Sequence, residues 1–250
     1  MAARDFDIVL FGATGFTGKL VAEALLPRTG GRGWALAGRS EEKLRAVQRE
    51  LAARDPRAAE LPLLIADVEN PSSLAEVARR ATVVCTTVGP YARYGIPVVR
   101  ACAEAGTHYC DLTGEVQFMR SSIDGWDTVA KGSGARIVHG CGFDSIPSDL
   151  GVLSLHEHFR RAGRRLARAK FVLGASKGGF SGGTVASMLT TFEQLAEEPG
   201  LRKLLGDPYA LVPDRRADRG PDRGDQQGVA HDDDIDLWTG PFIMASVNTR

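Results

Sequence analysis

The junction between an apolar run at residues 7–11 (DIVLF) and the glycine loop at 12–18 (GATGFTG) constrains this chain more than any other feature. An uninterrupted apolar run of strand length reads as a parallel strand buried on both faces. The glycines that follow are spaced GxxGxxG. Gly12 lets the chain turn sharply off the strand, where a side chain would clash. Gly15 lets a pyrophosphate approach the backbone, and Gly18 lets the next helix lie close to the sheet. Free N–H groups at that helix start, helped by the helix dipole, suit phosphate charge. Three glycines alone are a weak signal. Their place directly behind a buried strand, with further units of the same kind following, makes Gly12, Thr14, Gly15, Phe16, Thr17 and Gly18 the expected phosphate contacts of a dinucleotide.

Strand and helix patterns then alternate about six times. Further strands are expected at residues 34–37, 63–66, 82–88, 108–112 and 136–139. Helices are expected at 17–26, after Ser40, after Asn70-Pro71, at 95–105 and within 115–131. The pattern predicts an α/β fold, a Rossmann-type doubly wound parallel sheet with helices on both faces. Beyond Gly142 the character changes: a loop, a helix at 150–161, a strand at 169–174, a glycine-rich turn at 177–183 and a helix at 184–197. The expected division is an NADP-binding Rossmann domain over 1–145 and a partial α/β substrate or dimerisation domain over 146–250. Residues 206–236, rich in Asp, Arg, Gly and Pro, read as a long mobile loop.

The end of the second strand selects the dinucleotide. An NAD site usually places a carboxylate there for the ribose 2′-hydroxyl. This chain has Gly38-Arg39-Ser40 instead, and a guanidinium suits a 2′-phosphate, so NADP(H) is the expected cofactor. Asp67, after the third strand, is placed to contact the adenine edge or to serve as a capping and loop residue. Val88 and Gly89, after the fourth strand, are expected to border the nicotinamide together with Tyr94. Tyr91 and Asp144 are the candidates to deliver a proton, though each reads equally well as a turn or capping residue. No tyrosine has a lysine four residues on, which argues against the proton-donor pair of many short-chain reductases.

Other function classes are disfavoured. With 31 basic and 31 acidic residues the formal net charge is zero, so no whole-chain reason favours nucleic acid as a partner. Cys85, Cys102, Cys110 and Cys141 form no CxxC pair, and their apolar flanks suit a reducing compartment. His156 and His158 diverge on a helix, and residues 231–234 read as a solvated acidic run, so no metal site is expected. Residues 1–5 lead into the first strand without a signal-type apolar core, and the expected location is cytoplasmic.

Taken together, residues 12–18, Ala37-Gly38-Arg39, Val88-Gly89-Pro90-Tyr91, 109–115 (YCDLTGE) and 139–149 (HGCGFDSIPSD) resemble the saccharopine dehydrogenase-like family. Within it the chain looks most like the trans-acting enoyl reductases of polyketide-derived lipid assembly. The resemblance implies an NADP-binding Rossmann domain followed by an α/β domain for substrate and dimer contacts. It also implies hydride delivery to an enoyl thioester held on a partner polyketide synthase, and it leaves membrane association open. Relatives continue past residues 248–250, so a shortened N-terminal portion is expected. Two alternatives stay beside the enoyl reductase: an amino-acid dehydrogenase of the saccharopine kind, with Lys170 and Lys177 as candidates to grip substrate carboxylates, and a non-catalytic NADP-binding regulator.

Overall fold

A computed structural model describes residues 4–29, 33–175, 177, 179, 181–212, 226–242 and 245. Its centre is a six-stranded sheet in the order β3-β2-β1-β4-β5-β6, in which every adjacent pair is parallel. The strands are β1 (Phe6–Phe11), β2 (Trp34–Gly38), β3 (Leu63–Ile65), β4 (Ala81–Thr86), β5 (His108–Cys110) and β6 (Ile137–Val138). The chain winds outward one way through β2 and β3, then returns to the other side of β1 with β4. Loops at the carboxyl ends of β1 and β4 therefore splay apart, and this reversal leaves the crevice where such sheets bind ligands.

Helices α1 (Phe16–Thr29) and α2 (Glu41–Ala52) cover one face over β1–β3. There Leu10, Trp34 and Leu36 of the sheet pack with Ala22 and Leu26 of α1 and Leu44, Val47 and Leu51 of α2. The opposite face is covered by α3 (Pro71–Arg80), α4 (Tyr91–Ala105) and α5 (Val116–Ser133). Val9, Phe11, Val84 and Tyr109 meet Leu74, Val77, Val99, Cys102 and Phe118 on that side. Local chemistry starts these helices as the sequence suggests. Ser40 Oγ accepts from Lys43 N at 3.4 Å, and Asn70 Oδ1 accepts from Ser73 N at 3.2 Å ahead of Pro71. Each such cap is worth about 1 kcal/mol.

Some elements differ from expectation. Helix α1 runs through Pro27 to Thr29, because a proline in the last turn removes one hydrogen bond without blocking what precedes it. Helix α4 starts at Tyr91, a turn before the expected residue 95. Residues 169–174 are not a strand: they pair with no strand of the described sheets, and Phe171, Val172 and Leu173 remain exposed. After α6 (Ile146–Arg161) and α7 (Gly182–Glu197) comes an additional helix, α8 (Pro199–Gly206), with Leu201 buried. The expected loop at 206–236 is only partly irregular. Ala230–Asp232 (β7) pairs antiparallel with Leu237–Thr239 (β8), while 213–225 lie outside the described residues. Composition alone hid that hairpin, because main-chain pairing needs no large apolar side chains. Among the described residues no helix is long and apolar enough to cross a membrane.

Candidate functional site

The crevice at the β1/β4 reversal is a cleft of about 320 Å³, lined by the ends of four strands. Its wall includes Gly12, Thr14 and Gly15 from β1, Arg39 from β2, Asp67 from β3, and Thr87, Val88, Gly89 and Tyr94 beyond β4. The structure thus brings together eight residues expected at a dinucleotide from positions far apart in the chain. Phe16, Thr17 and Gly18 do not line the cleft with their side chains. Phe16 is exposed, Thr17 half-buried, and Gly18 buried beneath the loop.

Each glycine has a distinct physical reason. Gly12 sits at φ +91°, and a Cβ there would meet Val88 Cγ2 at 2.8 Å and Thr87 Oγ1 at 2.9 Å. At Gly18 a Cβ would stand 2.1 Å from the Gly12 carbonyl oxygen, so this residue sets how closely α1 approaches β1. Gly15 is different: its Cβ would meet protein only at 3.5 Å. The absent side chain there leaves room on the cleft side of the loop.

The loop is held from below. Thr87 Oγ1 donates to the Gly12 carbonyl at 3.1 Å, Thr87 N donates to Phe11 O at 2.9 Å, and Gly15 N donates to Gly12 O at 3.1 Å. The main-chain N–H groups of Thr14, Phe16, Thr17 and Gly18 have no acceptor among the described residues. Such free donors at the start of a 14-residue helix form an anion site reinforced by the helix dipole. Arg39 is exposed at the mouth of the cleft and makes no ion pair among the described residues. Asp67 Oδ1 accepts from Glu69 N at 3.1 Å in a turn, so the residue shapes its loop while also lining the cleft.

The two proton-donor candidates are not in this cleft. Tyr91 is 5% exposed, its ring stacks on Phe118 with centroids 5.7 Å apart, and its hydroxyl donates to Thr86 O at 3.2 Å. Burial pushes that phenol well above its ordinary pKa, with the Asp111 charge adding to the effect. Tyr91 is a packing residue, and the tyrosine that reaches the cleft is Tyr94, half-buried, its hydroxyl unpaired among the described residues. The two stand three residues apart at the start of α4, where Tyr91 packs against Phe118 and Tyr94 lines the cleft. Asp144 lies exposed on the loop before α6 and does not join the cleft residues.

Two buried carboxylates were missed as organisers of the site. Glu115, 7% exposed, accepts from Tyr91 N at 2.9 Å, Ala92 N at 2.7 Å and Ser187 Oγ at 2.7 Å. It caps α4 from outside, because the residue at the cap position is Pro90, whose side chain cannot accept. That proline was the available signal. Asp111, 2% exposed, accepts from Tyr109 Oη at 2.7 Å, Thr113 N at 3.1 Å and Gly140 N at 3.1 Å, and contacts His139 Nδ1 at 2.7 Å. His139 Nε2 lies 2.8 Å from Ser122 Oγ, completing a buried network that joins the ends of β5 and β6 to α5.

Comparison with known proteins agrees with this geometry. Residues 8–133 match the family model of the saccharopine dehydrogenase NADP binding domain. A Mycobacterium tuberculosis protein, provisionally named a trans-acting enoyl reductase, is 50% identical over 99% of this chain and 60% of its own length. The trans-acting enoyl reductase of Mycobacterium ulcerans is 46% identical over 100% of this chain and 60% of its own length. The chain therefore spans about 60% of the length of the curated relatives it matches. Among solved structures, saccharopine dehydrogenase from Saccharomyces cerevisiae superposes with a TM-score of 0.45 at 16% identity, covering 62% of this chain and 32% of that one. With the matched span running from β1 through α5 and enclosing every residue of the cleft, the chain belongs to the saccharopine dehydrogenase NADP-binding domain family.

Proposed function

We propose that the β1/β4 cleft holds NADP(H) and that this chain carries the nucleotide half of a reductase acting on an α,β-unsaturated acyl thioester. The observation that carries the reading is the row of N–H donors without an acceptor among the described residues at the start of α1, next to a cleft whose rim carries a guanidinium without an ion pair among them. The N–H groups of Thr14, Phe16, Thr17 and Gly18 would receive the pyrophosphate, and the open side of Gly15 would let it come close. Arg39 would take the 2′-phosphate through paired, charge-assisted hydrogen bonds. Asp67 would border the adenosine, and Val88 and Gly89 the nicotinamide end.

Bound NADPH supplies a hydride, which in enoyl reduction goes to the β-carbon of the acyl chain. The protein's part is to hold the thioester beside the cleft and to protonate the α-carbon. Tyr94 is the group we assign to that proton, since the residue lines the cleft and no hydrogen bond among the described residues engages its hydroxyl. Support for the substrate class comes from the naming of relatives at 46–50% identity as trans-acting enoyl reductases. The word trans-acting suits an acyl chain presented by a separate protein, and the sequence resemblance points to a polyketide synthase as that carrier. Of the two lysines that an amino-acid dehydrogenase reading offered, Lys177 is exposed and in no ion pair among the described residues, whereas Lys170 is paired. Lys170 is engaged by Asp232 at 2.6 Å and Asp234 at 2.7 Å, which would compete with a substrate carboxylate.

Calorimetry with NADPH and NADH, followed by turnover of an enoyl thioester at the nicotinamide absorbance band, tests the proposal. We expect NADPH to bind in preference to NADH, and Tyr94→Phe to leave that binding intact while lowering turnover about 100-fold or more. No heat with either nucleotide would overturn the whole reading. Tight binding without turnover of any enoyl thioester would overturn the substrate assignment alone.

A further inference from the structure

We propose that Cys85 and Cys110 form a disulfide site that responds to hydroperoxides, at the edge of the α1/α2 layer where its cover of the sheet thins out beyond β4. The two residues are direct partners in the parallel β4–β5 ladder, so their side chains leave the sheet on the same face. Neighbouring strands lie about 4.8 Å apart, within the range of about 4.4–6.8 Å between α-carbons that a disulfide spans. This face is the one that α1 and α2 cover over β1–β3. Over β4–β6 it is sparsely covered among the described residues: Val83 and His108 are only half-buried, and Val138 is 49% exposed. Both thiols are themselves half-buried, within reach of a small oxidant, and neither lines the nucleotide cleft.

The two thiols are chemically unequal. The neighbouring Cys110 thiol holds the Cys85 thiol below its ordinary pKa. The same contact, with burial added, pushes Cys110 up. We take Cys85 as the nucleophile and Cys110 as the resolving thiol. In the first step the Cys85 thiolate attacks a hydroperoxide oxygen. An S–O bond forms, the O–O bond breaks, and the alkoxide or hydroxide that leaves takes up a proton. In the second step the Cys110 sulfur attacks the Cys85 sulfenic acid: the S–S bond forms, the S–O bond breaks, and the Cys110 proton leaves with the hydroxyl as water. Two thiols are oxidised by two electrons, and one hydroperoxide is reduced to an alcohol or water. Exchange with a thiol reductant returns such a bridge to two thiols.

The other cysteines serve as internal contrasts. Cys102 is fully buried on α4, on the opposite face, where burial pushes its thiol up. Cys141 is exposed, but burial of its sulfur and the nearby Cys110 push it up to about 11, so it stays protonated near neutral pH. Among the described residues no group of three or more His, Cys, Asp or Glu side chains is placed to hold a metal ion, so metal binding does not compete for these thiols.

The test treats the full chain with hydrogen peroxide, blocks the remaining thiols, digests with trypsin and sequences by mass spectrometry. Cys85 falls in the peptide 81–93, while Cys102 and Cys110 share the peptide 101–120, so fragment ions must place the link. The expected result is one linkage, Cys85 to Cys110, with a pair of thiols lost and fully restored by dithiothreitol. Cys141→Ser should keep the linkage. Cys110→Ser should stop at a Cys85 sulfenic acid trapped by dimedone. Four alkylatable thiols after peroxide, or a link through Cys141 or Cys102, would overturn the proposal. Mapping on the unsubstituted chain decides the matter even where a serine variant folds poorly.

Discussion

Gly18 and Gly15 separate the two jobs of the glycine loop, and alanine at each should fail in a different way. At Gly18 the new methyl would stand 2.1 Å from the Gly12 carbonyl oxygen and 2.9 Å from Ala13 Cα. Both are main-chain atoms of the β1 turn, so no rotamer change relieves the clash. Restoring a contact of 3.4 Å requires the start of α1 to withdraw by about 1.3 Å. Overpacking of this kind costs about 1–3 kcal/mol, offset by roughly 1 kcal/mol from the better helix propensity of alanine. Stability to urea should therefore fall by about 2 kcal/mol or less. Nucleotide binding should suffer more. A hydrogen bond lengthened by an ångström is lost, and each one to a charged group is worth about 1.5–3 kcal/mol, or roughly 10- to 150-fold in Kd. At Gly15 the methyl meets protein only at 3.5 Å, so Gly15→Ala should leave urea stability unchanged and weaken NADPH binding by filling the space over the loop. Calorimetry and urea unfolding on the two variants measure both quantities. Unchanged NADPH affinity in Gly18→Ala, or a Gly15→Ala variant that loses stability but not affinity, would refute this division of labour.

Two further outcomes follow from the same cleft. Arg39→Ala should weaken NADPH binding about 10- to 100-fold with little effect on NADH, since only the 2′-phosphate is lost from the contact; equal losses for both would show that the guanidinium does not read that phosphate. Glu115→Gln should lower stability by about 1–3 kcal/mol in urea unfolding, because the carboxylate accepts from two α4 N–H groups and from Ser187, and an amide replaces one acceptor oxygen with a donor. An unchanged midpoint would show that α4 is capped in some other way.

The cleft was legible in the chain wherever local chemistry dictates backbone shape. The GxxGxxG spacing needs no tertiary knowledge, because the turn at Gly12 and the close helix approach at Gly18 are steric demands of adjacent residues. The placement of Arg39 at a strand end was equally readable, since β2 is a continuous buried run that stops at Gly38. The choice between Tyr91 and Tyr94 was not readable. Both lie just past β4, three residues apart on α4, and only the packing of that helix, with Tyr91 stacked on Phe118 of α5, decides that Tyr94 is the one in the cleft lining. Asp111 was hidden for a related reason: its partners come from β5, the loop after it and the end of β6.

Periodicity, glycine spacing and the basic residue after the second strand determined by themselves that this chain forms a parallel α/β sheet with a phosphate loop suited to a 2′-phosphorylated dinucleotide, because each is set by interactions within a few residues. Only the tertiary structure decided which strands neighbour one another, which tyrosine lines the cleft, and that Cys85 and Cys110 stand side by side. Those outcomes depend on strand order and helix rotation, which arise from packing between segments distant in the chain and leave no local mark on the residues that carry them.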